Sequence, residues 1–420
     1  MIQPLSAAAG PEPRMALSGL LDRPISVISL AAIFLSPYTT WRLIPGTLFT
    51  FSDGLFCVAM MLALAPGLRG IAPFRDLTPL WLGALGLMMI GLFLGSAIHG
   101  DLSRWLIVAA QYCFAYGLLP FAFGGWGRDA AVRAAGALVA GVVAMELFGS
   151  VVYVVMSGNS DRARIFGPEF ITGAHRLGGF MADANWNGAI SAMAIPFVLF
   201  LAAIGRLRFI VALAALAVLG SGVILSGSFT GFIGAALAVA LFLLIGGNGR
   251  ALRLVLVFAV ASFLAIGAGI GLPSAFQHRV ANALENRDIN EAGTYGGRMQ
   301  LIEEAWVLVD RTPLVGIGVD QFRVVSADEA PVHNMYLLVW AEGGMFALMG
   351  WLVIAVLPII GAVRAFRDDH QAAGLTLAVA SVFLAFSMAA PHMYSRSWVV
   401  PLLIAMSMLF TPKSDAAGPT

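Results

Sequence analysis

Apolar residues run along this chain in long uninterrupted blocks, each about as long as a helix that crosses a bilayer. The blocks fall near residues 22–40, 47–66, 77–98, 103–123, 130–156, 185–204, 207–226, 229–247, 251–272, 335–362, 373–391 and 396–411. They predict an all-α polytopic membrane bundle of about twelve transmembrane helices with a large, partly helical loop. Apolar and polar positions do not alternate within a block, which excludes a transmembrane β-barrel. The pattern is most interrupted at Asp53-Gly-Leu-Phe-Cys57 and at Ser226-Gly-Ser228. The blocks divide the chain into a tail at 1–21, nine spans over 22–272, a long loop at 273–334, three spans over 335–411 and a tail at 412–420. The first block begins too late and runs too long for a cleavable signal.

Composition narrows the class. Hydrophobic residues make up 60% of the chain and charged residues 11%, with a mean hydropathy of +0.88. Soluble domains carry about 25% charge. A soluble enzyme, a disordered scaffold and a nucleic-acid-binding protein are therefore excluded; no nucleic acid is expected as partner, and the lipid bilayer is. The net charge of +1 conceals an uneven distribution. With a cytoplasmic N-terminus, 13 of the 24 basic residues fall on inner segments and 3 (Arg42, Arg104 and Arg396) in short outer loops. The other 8 lie in two long outer loops, 157–184 and 273–334, which the positive-inside rule exempts. Both termini are thus expected in the cytoplasm.

The 273–334 loop contains one helical pattern. Over 297–311 the residues Ile302, Ala305, Trp306 and Val309 recur at spacings of three and four, so they are expected to share one face. Thr312-Pro313 and Gly316-Ile-Gly318 end that helix in tight turns. Cys57 and Cys113 fall inside spans, so no disulfide framework is expected. No Cys/His cluster has zinc spacing and no glycine motif for a nucleotide is present, so no metal and no cofactor are expected.

Three polar clusters could carry chemistry. The first is Arg176-Leu-Gly-Gly-Phe-Met-Ala-Asp183-Ala-Asn185-Trp-Asn187. Its glycines permit close approach, and the fork of Arg176 suits phosphate. Arg162 and Arg164 in the same loop read as solvated side chains. The second is Arg298, at the start of the amphipathic helix. There it serves either an anion site at the helix N-terminus or a surface ion pair with Glu303 or Glu304; spacing alone favours neither. The third is His333-Asn334, followed by Glu342-Gly343-Gly344. His333 titrates near neutrality and could move a proton, or it could be an interfacial cap; Asn334 also fits a capping role. Glu342 lies about 13–14 Å further along a continuous helix, out of direct reach of His333. Of the other polar residues in or beside spans, Asp53 and His99 are expected to reach the interface. Glu146 is expected to make a structural pair with an Arg or a backbone group.

These clusters resemble the O-antigen ligase and O-antigen polymerase superfamily of bacterial envelope glycan enzymes. The likeness rests on Arg298…Trp306…Pro313-Leu-Val-Gly-Ile-Gly318…Phe322, then His333-Asn334…Glu342-Gly-Gly-Met…Gly350. It rests also on Arg176…Gly179-Phe180…Asn185. One motif departs: the family's Ser-Arg pair is Ser226-Gly-Ser228-Phe229-Thr230 here, without the Arg. The resemblance implies transfer of a glycan from an undecaprenyl-diphosphate donor to a sugar hydroxyl at the periplasmic face of the inner membrane. The acceptor would be another lipid-linked glycan or a lipid A core, and a chain-length regulator is an implied partner. His333 and Arg298 are then the catalytic candidates, and Arg176, Asn185, Asn334 and Glu342 the substrate-binding ones. The missing Arg tips the balance slightly towards polymerase over ligase. The competing class is a flippase-like transporter of lipid-linked oligosaccharide. Twelve spans suit it, but polar chemistry on one outer face does not.

Overall fold

The computed structural model describes residues 13–64, 72–124, 126–269, 271–288 and 295–411. Twelve helices fall where the apolar blocks lie. They are α1 (Pro13–Leu35), α2 (Phe51–Leu64), α3 (Thr78–Ile98), α4 (Leu102–Phe123), α5 (Arg128–Val155) and α6 (Ala184–Ala203). The second half adds α7 (Phe209–Ser226), α8 (Phe229–Ile245) and α9 (Gly249–Gly267). A loop helix, α10 (Tyr295–Arg311), precedes α11 (Met335–Ala365), α12 (His370–Ser387) and α13 (Arg396–Phe410). Eight of these are long and apolar enough to cross a membrane; α1, α2, α8 and α13 contain shorter apolar stretches. The chain is a multi-pass membrane protein. Helix α1 starts inside the tail expected at 1–21, and the tail at 412–420 lies outside the described residues.

Helix α6 is the hub of the bundle, buried over nearly its whole length, whereas α9 is peripheral. Two close contacts fix the packing. Helix α8 runs against α12, and α3 lies along α11. The α3–α11 contact is glycine-dependent: a Cβ on Gly91 would sit 2.5 Å from the Ala347 nitrogen, and one on Gly350 2.4 Å from the Ala84 oxygen.

The loops alternate between two ends of the bundle. One end gathers 36–50, 157–183, the 226–228 turn, 273–288, 295–334 and 388–395. Thr40 there donates its backbone N–H to the Phe180 oxygen, and His392 Nε2 lies 3.4 Å from Asp320 Oδ1. The opposite end is tied by ion pairs, Arg128 to Asp369 at 2.8 Å, Arg206 to Asp129 at 2.6 Å and Arg364 to Asp76 at 2.6 Å. Of the three clusters singled out in the sequence, all lie at the first end.

Candidate active site

The segment after α10 is built around a break in α11. Gly344 has φ +69 and ψ −168, a conformation open essentially only to glycine. The break frees the carbonyls of Ala341 and Glu342 from their helical partners, and buried carbonyls need others. The Pro313–Val319 turn supplies them. Ile317 donates to Ala341 and Gly318 to Glu342, both at 2.9 Å, while Met345 donates back to Pro313 at 3.0 Å. Val319 donates to Ser96 Oγ at 3.0 Å, and His99 Nδ1 lies 3.1 Å from the Gly316 oxygen. Gly316 has to be glycine, since a Cβ there would lie 2.3 Å from the Glu342 carbonyl carbon. The Pro-x-x-Gly-x-Gly motif is thus a strap that holds the loop to α3 and to the break in α11.

Helix α10 lies on this strap with a different face from the one expected. Leu301, Ala305 and Val309 are buried, and Trp306 is 46% exposed, its ring edge-on to Trp340 at 5.6 Å. The stripe is rotated because the apolar surface it meets, Phe322, Val332 and Leu338, lies beneath Leu301 and Ala305. Arg298 precedes these two by three and seven residues, so it shares their inward face. Among the described residues it has no ion pair with Glu303 or Glu304; Glu304 instead accepts from Gln300 and from the Ala327 backbone. The surface-pair alternative for Arg298 is thereby set aside.

Three guanidinium groups converge at this end. Arg176 is 8% exposed, donates from Nε to the Ser226 oxygen and from Nη2 to Asn185 Oδ1, both at 2.7 Å. Burial, and then the field of Arg279, pushes its pKa down to about 10, so it stays protonated at neutral pH. Arg279 is lowered by burial and by Arg298, and its Nε is buried with no hydrogen-bond partner among the described residues. Arg298 is lowered chiefly by burial, and among the described residues Asp183 is the anion that opposes this. Asp183 Oδ1 is already engaged: it caps α6 by accepting from the backbone N–H of Asn185 and Trp186 at 2.7 and 2.9 Å. Three cations around one committed carboxylate form a site short of negative charge.

His333 joins this cluster. It is half-buried, and burial followed by Arg298 lowers its pKa, with Asp183 opposing. Asn334 caps α11, its Oδ1 accepting from Tyr336 and Leu337 at 3.1 and 3.2 Å. Glu342 does not join. It is buried against the strap, its carboxyl accepting from backbone groups of Asp320 and Phe322, with Asp320 and Arg104 as its charged neighbours. The structure therefore brings together Arg176, Asn185, Arg298 and His333, with Asn334 beside them, and holds Glu342 apart.

Arg279 was not singled out from the sequence. The stretch 274–285 folds as short helical turns over the end of α7, where Gly227 has φ +53 and a Cβ would lie 3.3 Å from the Ala275 oxygen. Arg279 thereby stands beside the Ser226–Phe229 turn where the motif lacks its Arg. The signal was that missing Arg itself.

Other expectations are corrected. Asp53 is fully buried instead of interfacial, paired with Arg396: Nη2 donates to Oδ2, and Nε lies near Oδ1, both at 2.5 Å. His99 is not among the corrected ones: it is exposed at the C-terminal end of α3, where its Nδ1 also meets the Gly316 oxygen of the strap. Glu146 has a structural role without an Arg: it accepts from Asn187 at 3.2 Å and Ser191 at 2.5 Å. Arg164 lies at the surface beside Asp161, as expected of a solvated side chain.

Residues 212–352 match the family model described as O-antigen ligase. The match supports the O-antigen ligase and polymerase superfamily. It also supports glycan transfer of that general type. The matched stretch runs from α7 into α11 and includes Arg279, Arg298, the strap and His333; Arg176 and Asn185 lie before it. A search of curated proteins finds no match to the chain. Among the described residues no group of three or more His, Cys, Asp or Glu could hold a metal ion.

Proposed function

We propose that this protein transfers a glycan from an undecaprenyl-diphosphate donor to a sugar hydroxyl at the periplasmic face of the inner membrane. In this topology both termini are cytoplasmic, and the 273–334 loop is catalytic. The observation that carries the reading is the convergence of Arg176, Arg279 and Arg298 on what is, among the described residues, one already engaged carboxylate. A diphosphate supplies the negative charge this site lacks. As the acceptor oxygen bonds to the anomeric carbon, the bond from that carbon to the diphosphate oxygen breaks and its electron pair leaves with the diphosphate. The guanidiniums stabilise the charge developing there. His333, kept neutral by burial and Arg298, takes the acceptor proton. Asn185 orients Arg176, and Asn334 places His333 by capping α11. Glu342 supports the strap from behind.

The donor tail has a place of matching chemistry. An apolar cavity of about 710 Å³ lies between α6, α7, α8 and α9, lined by Leu199, Leu216, Val223, Phe232, Phe258 and Phe276. Phe276 is three residues before Arg279, so the cavity ends beneath the cations. A polyprenyl chain in this groove places its diphosphate at the arginines.

A polymerase using a second lipid-linked glycan is favoured over a ligase using a lipid A core, and a chain-length regulator would act with it. The test is purified protein with a lipid-linked repeat unit, the product resolved by size. Arg298→Gln, Arg279→Gln and His333→Ala should each lower the rate at least ~100-fold, the scale of one lost charge-stabilising or acid–base group. Full transfer by these variants overturns the roles. Movement of the lipid-linked glycan across vesicles without a new glycosidic bond establishes the transporter instead.

A further inference from the structure

A second cavity lies on the other side of the α6 N-terminus, and no residue assigned above uses it. It holds about 250 Å³, room for about eight waters at ~30 Å³ each. The 36–50 loop, α4, the 388–395 loop and α13 enclose it, and its walls are polar and aromatic rather than aliphatic. Thr39, Arg42, Gln111, Trp186, Tyr394 and Arg396 carry the argument.

Most of these have fixed partners; Thr39, for one, donates to the Phe180 oxygen at 3.1 Å. Arg396 is neutralised by Asp53 and donates to Gln111 Oε1 at 2.7 Å, so it forms a rigid floor. Trp186 stands edge-on to Trp398 at 5.7 Å, which fixes its ring plane. Arg42 differs: its guanidinium has no hydrogen bond or ion pair among the described residues, although it is half-buried and feels both Arg396 and Asp53. A fixed indole, a phenol and an uncommitted guanidinium present apolar faces beside hydrogen-bond donors. A sugar ring has that duality, with C–H faces and hydroxyl edges; a lipid chain or a hydrophobic peptide does not.

The position matters as much as the chemistry. Trp186 follows Asn185, which holds Arg176 at 2.7 Å. Tyr394 meets Tyr112 edge-on at 5.1 Å, and Tyr112 donates to the sulfur of Met335, two residues after His333. The cavity therefore adjoins both halves of the arginine–histidine cluster. The apolar groove reaches the same cluster from the opposite side of α6, at Phe276. A donor held through the groove and an acceptor held in the polar cavity approach the reacting carbon from opposite sides, as a displacement needs.

We propose that this cavity is the acceptor subsite and binds a saccharide through Arg42, Trp186 and Tyr394. The proposal rests on the glycan-transfer reading and names where its second substrate sits. The test uses the full chain in detergent with two fluorescently labelled probes. One is an oligosaccharide released from the host's surface polysaccharide; the other is the core oligosaccharide released from its lipopolysaccharide. Inorganic pyrophosphate serves as a separate probe of the arginine cluster, read by thermal stabilisation.

One of the two saccharides should bind by anisotropy. Arg42→Gln and the conservative Trp186→Phe should each weaken it at least tenfold, while pyrophosphate still stabilises both variants, showing that they are folded. A polysaccharide-derived ligand marks a polymerase, and a core ligand marks a ligase; either supports the subsite. No binding of either saccharide to the wild-type chain, or variants within twofold of it, overturns the subsite. Pyrophosphate addresses the underlying reading independently: no stabilisation of the wild-type chain, or equal stabilisation of Arg298→Gln, counts against the transfer mechanism whatever the saccharides do.

Discussion

Gly344→Ala perturbs the position on which the strap depends. Holding the observed backbone with an alanine costs about 1–3 kcal/mol for a conformation that only glycine adopts readily. The new Cβ would also lie 2.2 Å from the Leu314 oxygen and 2.5 Å from its carbon, a backbone overlap worth about 1–3 kcal/mol more. If the helix straightens instead, the Ile317, Gly318 and Met345 hydrogen bonds are lost, at about 0.5–1.5 kcal/mol each. Both routes cost roughly 2 kcal/mol or more. At ~2–4 °C per kcal/mol, the melting midpoint should fall by about 4 °C or more. The assay is thermal loss of the monodisperse peak in detergent, run beside glycan transfer. Gly83→Ala is the control: it lies within α3, nothing approaches its Cβ within 4 Å, and alanine there is neutral or gains up to about 1 kcal/mol. Transfer should fall with the strap, because the strap carries α10 and with it Arg298. A Gly344→Ala protein that melts within about 1 °C of wild type and transfers glycan normally refutes the strap argument.

Two further outcomes follow from named contacts. Asp53→Asn leaves the buried Arg396 without its carboxylate, so it should destabilise the protein by about 3–5 kcal/mol in the same melting assay; a change under about 1 kcal/mol would show the pair to be dispensable. The pH profile tests His333. Its pKa is lowered from 6.5, so the neutral form persists to lower pH, and kcat/KM should decline on an acid limb below 6.5 as His333 takes up a proton. Removing the Arg298 cation raises that pKa, so the acid limb of the residual Arg298→Gln activity should move to higher pH; a shift in the opposite direction contradicts the assignment.

Much of the fold was legible because its cause is local. A helix in a bilayer satisfies its own backbone, so apolar length marks each span without reference to any other. Among the described residues each of the twelve blocks holds a helix, eight of them long and apolar enough to span, though their ends moved: α1 ends at Leu35 where 40 was expected. The amphipathic face of α10 was misread because Trp306 is as apolar as its neighbours, and periodicity does not tell which edge of a broad stripe is covered. The arginine cluster was partly legible. Arg176 and Arg298 stand in motifs, whereas Arg279 stands in none and counts only because the 274–285 stretch folds over Gly227.

Composition and block length, taken alone, determined that the chain is a multi-pass helical membrane protein, and its motifs pointed to glycan transfer. Tertiary structure decided which charges act together. Arg176 meets Arg279 across about a hundred residues, Asp53 finds Arg396 near the other end of the chain, and Glu342 turns towards the strap instead of the arginines. Charge interactions fall with distance through space and depend on burial, neither of which is encoded in spacing along the chain.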